Sequence, residues 1–146
     1  MWFDSNVWAL SCDIREFRRI IGFLQYLYLT RPDVSFSLNK LSQYMQAPIE
    51  ILMKAAKRLL CYLKGTRDHG LHLSRTTNLS LTAFCDSDWA RDTHDRKSTA
   101  AYLIYMGLNA ISWSSKKQPI VAKSLKETEY WTIVTTTIEL CGYLNY

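Results

Sequence analysis

The 146-residue chain has no Cys-x-x-Cys pair, no apolar run of membrane-spanning length, no internal repeat and no low-complexity stretch. Each absence removes a class of protein. Cys12, Cys61, Cys85 and Cys141 stand far apart among apolar or strand-like neighbours, where a free thiol behaves as a small hydrophobe. That spacing speaks against a zinc site or a disulfide framework, and a reducing compartment fits it. The most apolar run, residues 20–29, is broken by Gln25 and is about half as long as a bilayer span. Residues 1–13 carry Asp4 and lack the basic start of a secretory signal. The expectation is a soluble intracellular chain, in cytoplasm or nucleus, with no membrane partner.

What is present suffices for a core. Hydrophobic residues make up 48% and aromatics 13%, enough for one domain or two small units. Acids are scarce, 13 against 18 lysines and arginines, and the net charge is +5. A basic surface attracts polyanions such as nucleic acid, although a solvated lysine-rich face reads the same charge equally well.

The apolar pattern changes period along the chain. Residues 16–30 are apolar all round, which predicts a largely buried helix. Arg31-Pro32-Asp33 punctuates it, and Pro32 suits the first position of a second helix through Val34, Leu38, Leu41 and Met45. A third helix carries the apolar stripe Leu52, Ala55, Ala56, Leu59, Leu60 and Leu63, with Lys54, Lys57, Arg58 and Lys64 on its other side. Gly65 should stop it in the left-handed conformation. That basic side could track a phosphate backbone or simply face solvent.

From residue 71 the period becomes two. Leu79, Leu81, Ala83 and Cys85 alternate with Thr82, Phe84 and Asp86 in a first strand. Residues 99–106 form a second strand, Gly107-Leu108-Asn109 turns, and residues 110–113 return as a third. Residues 114–118 read as a polar loop, after which Ile120-Val121-Ala122 could extend the sheet. Ser124 and Glu127 fit a capping box, and Tyr130, Ile133, Val134, Thr137, Ile138 and Cys141 form the predicted packing stripe of a last helix.

Chemistry concentrates in the acids. Asp86-Ser87-Asp88 is followed by Asp92 and Asp95, but Arg91 and Lys97 occupy positions where a calcium loop needs Gly and Glu. Glu129 borders the core side of the last helix, whereas Glu127 already has a capping task. A strand-end Asp facing a helix Glu is half of a carboxylate cage for a divalent metal. His69, His72 and His94 lack a third ligand nearby. Trp89 and Trp113 could stack on bases or pack against the sheet.

The ordered runs carry a resemblance. Arg18-Arg19-Ile20-Ile21-Gly22, Tyr28-Leu29-Thr30-Arg31-Pro32-Asp33 and Asn39-Lys40-Leu41-Ser42-Gln43 come first. Ala55-Ala56-Lys57-Arg58-Leu59-Leu60, Tyr62-Leu63-Lys64-Gly65-Thr66 and Asp86-Ser87-Asp88-Trp89-Ala90 follow. Asp95-Arg96-Lys97-Ser98-Thr99, Ile111-Ser112-Trp113-Ser114-Ser115-Lys116-Lys117-Gln118 and Thr128-Glu129-Tyr130 complete the series. Over residues 16–130 the chain resembles the Pol polyprotein of copia-type (Ty1/copia) long-terminal-repeat retrotransposons.

The resemblance implies that residues 16–68 are the helical tail of a reverse transcriptase region, after an unassigned leader, residues 1–15. Residues 71–146 would be the N-terminal part of a ribonuclease H-like domain. It maps the family's first metal-binding Asp to Asp86 and its helix Glu to Glu129, with Asp88 as an additional metal candidate. The implied cofactor is Mg²⁺ and the implied partner an RNA–DNA hybrid. The later metal-binding carboxylates of that domain lie beyond Tyr146, and no Asp-Asp pair is present for a polymerase site. Departures from the family pattern include Arg91 and Ala101 in place of Gly, Cys61 in place of a basic residue, and Lys123-Ser124-Leu125-Lys126.

The expected fold is therefore α+β: a helical N-terminal segment, then a truncated ribonuclease H-like unit of a three-stranded antiparallel meander and one helix. Its open sheet edge invites self-association. The expected function is that of a Pol remnant, inactive as this chain. A non-catalytic nucleic-acid-binding module using Lys54, Lys57, Arg58 and Lys64 is one alternative, and a metal nuclease completed in trans is another.

Overall fold

In the computed structural model, residues 13–75, 79–90 and 95–144 are described. The chain divides into two compact units, the first ending at Gly70 and the second beginning at Leu71.

Asp13 opens the first unit by accepting the Arg15 and Glu16 N–H groups on its carboxylate, which caps helix α1 (Ile14–Gln25). The helix tightens into a 3₁₀ turn, Tyr26–Leu29. Only Phe17, Ile21 and Leu24 of α1 are buried, while Phe23 is 70% and Tyr26 78% exposed. The largely buried helix expected over residues 16–30 is thus one-sided, because only one stripe at helical spacing can meet the neighbouring helices. A second 3₁₀ turn at Pro32–Val34 leads into α2 (Ser35–Ser42), which stops short of the expected Met45. The Met45 carbonyl instead accepts from Arg18 Nε at 2.9 Å.

Helix α3 (Glu50–Gly65) buries Leu52, Met53, Ala56 and Leu59 against α1 and α2. Ala55 and Leu63 pack at the margin of that core, whereas Leu60, expected in the stripe, is exposed, because it lies at the edge of the arc that faces the other helices. The helix does end at Gly65, but without a left-handed residue. Among the described glycines only Gly107 has a positive φ, and Thr66 closes the last turn by donating to Tyr62 and Leu63.

The second unit holds β1 (Leu81–Asp88), β2 (Thr99–Met106) and β3 (Asn109–Lys117) in an antiparallel sheet of order β1-β2-β3. Gly107, at φ 60°, takes the first position of the two-residue β2–β3 turn, which needs that conformation. Strand β3 runs through Lys117, so the expected polar loop over residues 114–118 is mostly strand: backbone pairing with β2 does not depend on side-chain polarity. Residues 120–122 add no strand.

Helix α4 (Leu125–Leu144) packs on β1 and β2. Ser124 Oγ accepts the Glu127 N–H at 3.2 Å, while the Glu127 carboxylate takes the Lys123 N–H at 2.7 Å rather than that of Ser124. The buried stripe is Thr128, Thr132 and Thr136. The apolar stripe expected to pack (Tyr130, Ile133, Val134, Thr137, Ile138, Cys141) faces solvent instead. Threonine can take the buried side because each of these hydroxyls bonds the carbonyl four residues back, leaving a methyl to pack. Among the described residues, no helix is long and apolar enough to cross a membrane.

Candidate functional site

Asp86 and Asp88 stand near the end of β1, and Glu127 and Glu129 in the first turns of α4. Opposite Asp86 and Ser87 stand Ala101 and Ala100, small residues that leave the strand end uncrowded. Asp86 is exposed, and its Oδ1 accepts the Ser87 N–H at 2.8 Å. Asp88 is also exposed and shares that face by strand alternation. Ser87 lies on the opposite face, where its hydroxyl is buried with no hydrogen-bond partner.

A polar seam ties the first turn of α4 to this strand end. Ser98, wholly buried beside β2, accepts the Ala90 N–H at 3.1 Å and meets the Thr128 hydroxyl at 3.2 Å. Gln118 donates to the Ser98 carbonyl through its backbone, and to the Thr128 carbonyl and Thr132 hydroxyl through its side chain. Trp89 donates its indole N–H to the Ala122 carbonyl at 3.1 Å, so this ring is anchored rather than free to swing. The helical spacing of Thr128, Thr132 and Thr136 is the one signal in the sequence that could have marked this stripe, and the polarity of Ser98 and Gln118 gives no sign of their burial in the seam.

Glu129 follows Thr128, exposed, about 60° of arc from the centre of the threonine stripe, whereas Glu127 lies about 140° away. Glu129 therefore flanks the sheet-facing side. It does so beside a threonine seam, not beside the apolar stripe from which its position was first read. Asp92 and His94 lie outside the described residues. Among the described residues, no group of three or more His, Cys, Asp and Glu side chains is arranged to hold a metal.

In the first unit, Lys54, Lys57, Arg58 and Lys64 are all exposed and fall within about 120° of arc on α3. Lys54 pairs with Glu50 at 3.0 Å. The strongest electrostatic feature of this unit lies in Arg31-Pro32-Asp33, a run whose sequence signals only a break between helices. Arg31, 6% exposed, spends all five N–H donors on the Asp33 carboxylate, the Thr66 carbonyl and hydroxyl, and the His69 carbonyl. The Tyr62 hydroxyl also donates to Asp33 at 2.9 Å. The Arg31 hydrogen bonds, aided by Tyr62, hold the Asp33 carboxyl down to about 2.

The Retrovirus-related Pol polyprotein from transposon RE2 of Arabidopsis thaliana is 51% identical over 128 residues, which is 88% of this chain and 9% of that polyprotein. This chain belongs to the copia-type retrotransposon Pol family. The Pol polyprotein from transposon RE1 of the same plant is 48% identical across the same shares. An uncharacterized mitochondrial protein of Arabidopsis thaliana is 47% identical over 88% of this chain and 53% of its own length. This copia-type Pol chain thus spans less than two thirds of the length of each of these relatives. No protein-family model and no solved structure matches it.

Proposed function

We infer that this copia-type Pol segment joins the helical end of a reverse transcriptase region, residues 16–68, to the first part of a ribonuclease H-like domain. In that domain Asp86 and Glu129, with Asp88 as an additional candidate, are the Mg²⁺ ligands. One coincidence carries the reading. The chain is 51% identical to a Pol polyprotein, and the strand end bearing Asp86 and Asp88 is tied through Ser98 to the helical turn bearing Glu129. The donor chemistry fits the ion, since carboxylate oxygens are hard ligands that Mg²⁺ accepts while keeping several waters.

When bound, Mg²⁺ would supply Lewis-acid polarisation at a phosphodiester. The chain's own contribution is to hold acids at a strand end and a helical turn whose mutual position the Ser98–Thr128 contact fixes. Two-metal cleavage needs two ions about 4 Å apart, and two or three exposed carboxylates are too few to clamp both. The 146-residue chain should therefore bind Mg²⁺ weakly and leave the RNA of an RNA–DNA hybrid uncut. Incubation of the pure chain with a labelled hybrid, in Mg²⁺ and in Mn²⁺, tests this. Metal-dependent cutting that disappears in Asp86→Asn would overturn the inactive reading while keeping Asp86 as a ligand.

The exposed cations of α3 favour a second contribution, a sequence-tolerant contact with phosphates. Each neutralised phosphate steepens the fall of log affinity with log salt by about 0.9 on duplex DNA. The double substitution Lys57→Glu with Arg58→Glu should flatten that slope, and an unchanged slope would remove the stripe from the account.

A further inference from the structure

The connection between the two units is fastened on both sides of a short run. On its N-terminal side, Arg31 donates to the Thr66 carbonyl and hydroxyl at 2.9 Å each and to the His69 carbonyl at 3.5 Å. The His69 N–H bonds the Thr66 carbonyl at 3.1 Å. The guanidinium is buried, so the chain beyond α3 is held from inside the first unit as far as His69. On the C-terminal side, the Asn109 side chain takes the place of a peptide group. Its Oδ1 accepts the Ser74 N–H at 2.7 Å and its Nδ2 donates to the Ser74 carbonyl at 2.8 Å. Asn109 begins β3, so this two-point grip fixes Ser74 to the sheet.

Residues 70–73, Gly-Leu-His-Leu, lie between the two fastenings. They form neither helix nor strand, and among the described residues their backbone groups bond to no other backbone group. Leu73 is 71% exposed. Gly70 lies outside the left-handed region, and a Cβ there would meet nothing within 4 Å. Neither conformation nor space demands glycine at this position, so what it contributes is freedom of the chain.

We propose that residues 70–73 are a hinge in the connection between the units, its length set by the Arg31 and Asn109 fastenings. An exposed segment with unpaired backbone belongs to the low-stability end of a structure. Its four residues carry about eight soft dihedrals, enough to change the chain's direction without disturbing either fastened end. Through Met106, Asn109 stands beside Leu81, at the opposite end of β1 from Asp88 and roughly 23 Å from it along the strand. Motion at the hinge therefore enters the second unit far from its acidic strand end. This inference does not rest on the metal-site reading.

Backbone ¹⁵N relaxation of the full chain tests it. Order parameters should fall below about 0.6 over residues 70–73 and stay near about 0.85 at residues 66–69 and at Ser74. Asn109→Ala should extend the low values through Ser74 and leave residues 66–69 unchanged. Arg31→Met should extend them toward Thr66 and leave Ser74 unchanged. Two milder variants carry the same comparison if either of these unfolds its unit. Asn109→Asp keeps the acceptor for the Ser74 N–H and loses the Nδ2 donor, and Thr66→Val removes the hydroxyl that Arg31 holds. Order parameters near about 0.85 throughout residues 66–74, or low values whose limits stay at 70 and 73 in every variant, would overturn the proposal.

Discussion

Replacing Arg31 should damage the first unit more than any surface change, although the sequence marks it only as the residue before a proline. Its guanidinium bonds Asp33 at 2.9 and 2.7 Å, the Thr66 carbonyl and hydroxyl at 2.9 Å each, and the His69 carbonyl at 3.5 Å. These contacts fasten the last turn of α3 to the 3₁₀ turn that begins α2. Hydrogen bonds to a charged group contribute roughly 1.5–3 kcal/mol each, but they share one side chain and do not add. Asp33 is 38% exposed and would regain water once its partner is gone. The loss should therefore fall below the 3–5 kcal/mol of a fully buried pair, and about 2–4 kcal/mol is expected for Arg31→Met. Arg31→Lys keeps a charge near Asp33 but loses the planar fork, and should recover less than half of that. Urea melts followed by circular dichroism, with exposed Arg19→Met as the control, give the comparison. A loss for Arg31→Met within the ~0.5 kcal/mol of ordinary surface substitutions would refute the clasp.

The same network sets an acid limb. Because the Asp33 carboxyl is lowered to about 2 in the folded chain, its stabilising contribution is present above the unfolded value near 3.8 and disappears as pH falls toward 2. Solvent screening of this partly exposed group limits it to about 1 kcal/mol, and Asp33→Asn should erase that limb of the stability curve. Ala90 holds a φ of 48°, costly for a residue with a Cβ, so Ala90→Gly should raise stability by about 0.5–1 kcal/mol in a thermal melt; a lower melting point would contradict the strain. Glu127→Ala removes a carboxylate that accepts the Lys123 N–H and should cost about 1 kcal/mol with or without Mg²⁺. Glu129→Gln should leave metal-free stability unchanged or higher and abolish any stabilisation by Mg²⁺; the reverse pattern would exchange the roles of the two glutamates.

Where one physical rule decided an element, the sequence was readable. Strand β2 occupies residues 99–106, the stretch rich in β-formers that ends at the Gly107 turn, and Ser124 begins α4 by accepting the Glu127 N–H. The order of helices before strands, and the α+β class, were visible in the change of apolar period. The inward face of α4 is not legible from hydropathy, which ranks Ile133 and Val134 above threonine and ignores that Thr128, Thr132 and Thr136 satisfy their own hydroxyls before burial. Strand β3 was cut short because Ser114, Ser115, Lys116 and Lys117 look like loop, although their backbone pairs with β2 whatever the side chains are. Of the candidate site, Asp86 at a strand end and Glu129 near a helix start could be placed from spacing. The seam that joins their elements could not, since Ser98, Gln118 and Thr128 are brought together only by the turn of the chain between the sheet and α4.

The carboxylate pair is the centre of this account, and paramagnetic broadening by Mn²⁺ in a ¹⁵N-labelled sample reads it without requiring any cleavage. Trace Mn²⁺ should broaden the amides of residues 86–88 and 128–130 before others, excess Mg²⁺ should restore them, and Asp86→Asn should abolish the effect. Broadening spread evenly over exposed acids such as Glu16, Asp68 and Glu139, or unchanged in Asp86→Asn, would contradict a metal site built from Asp86 and Glu129.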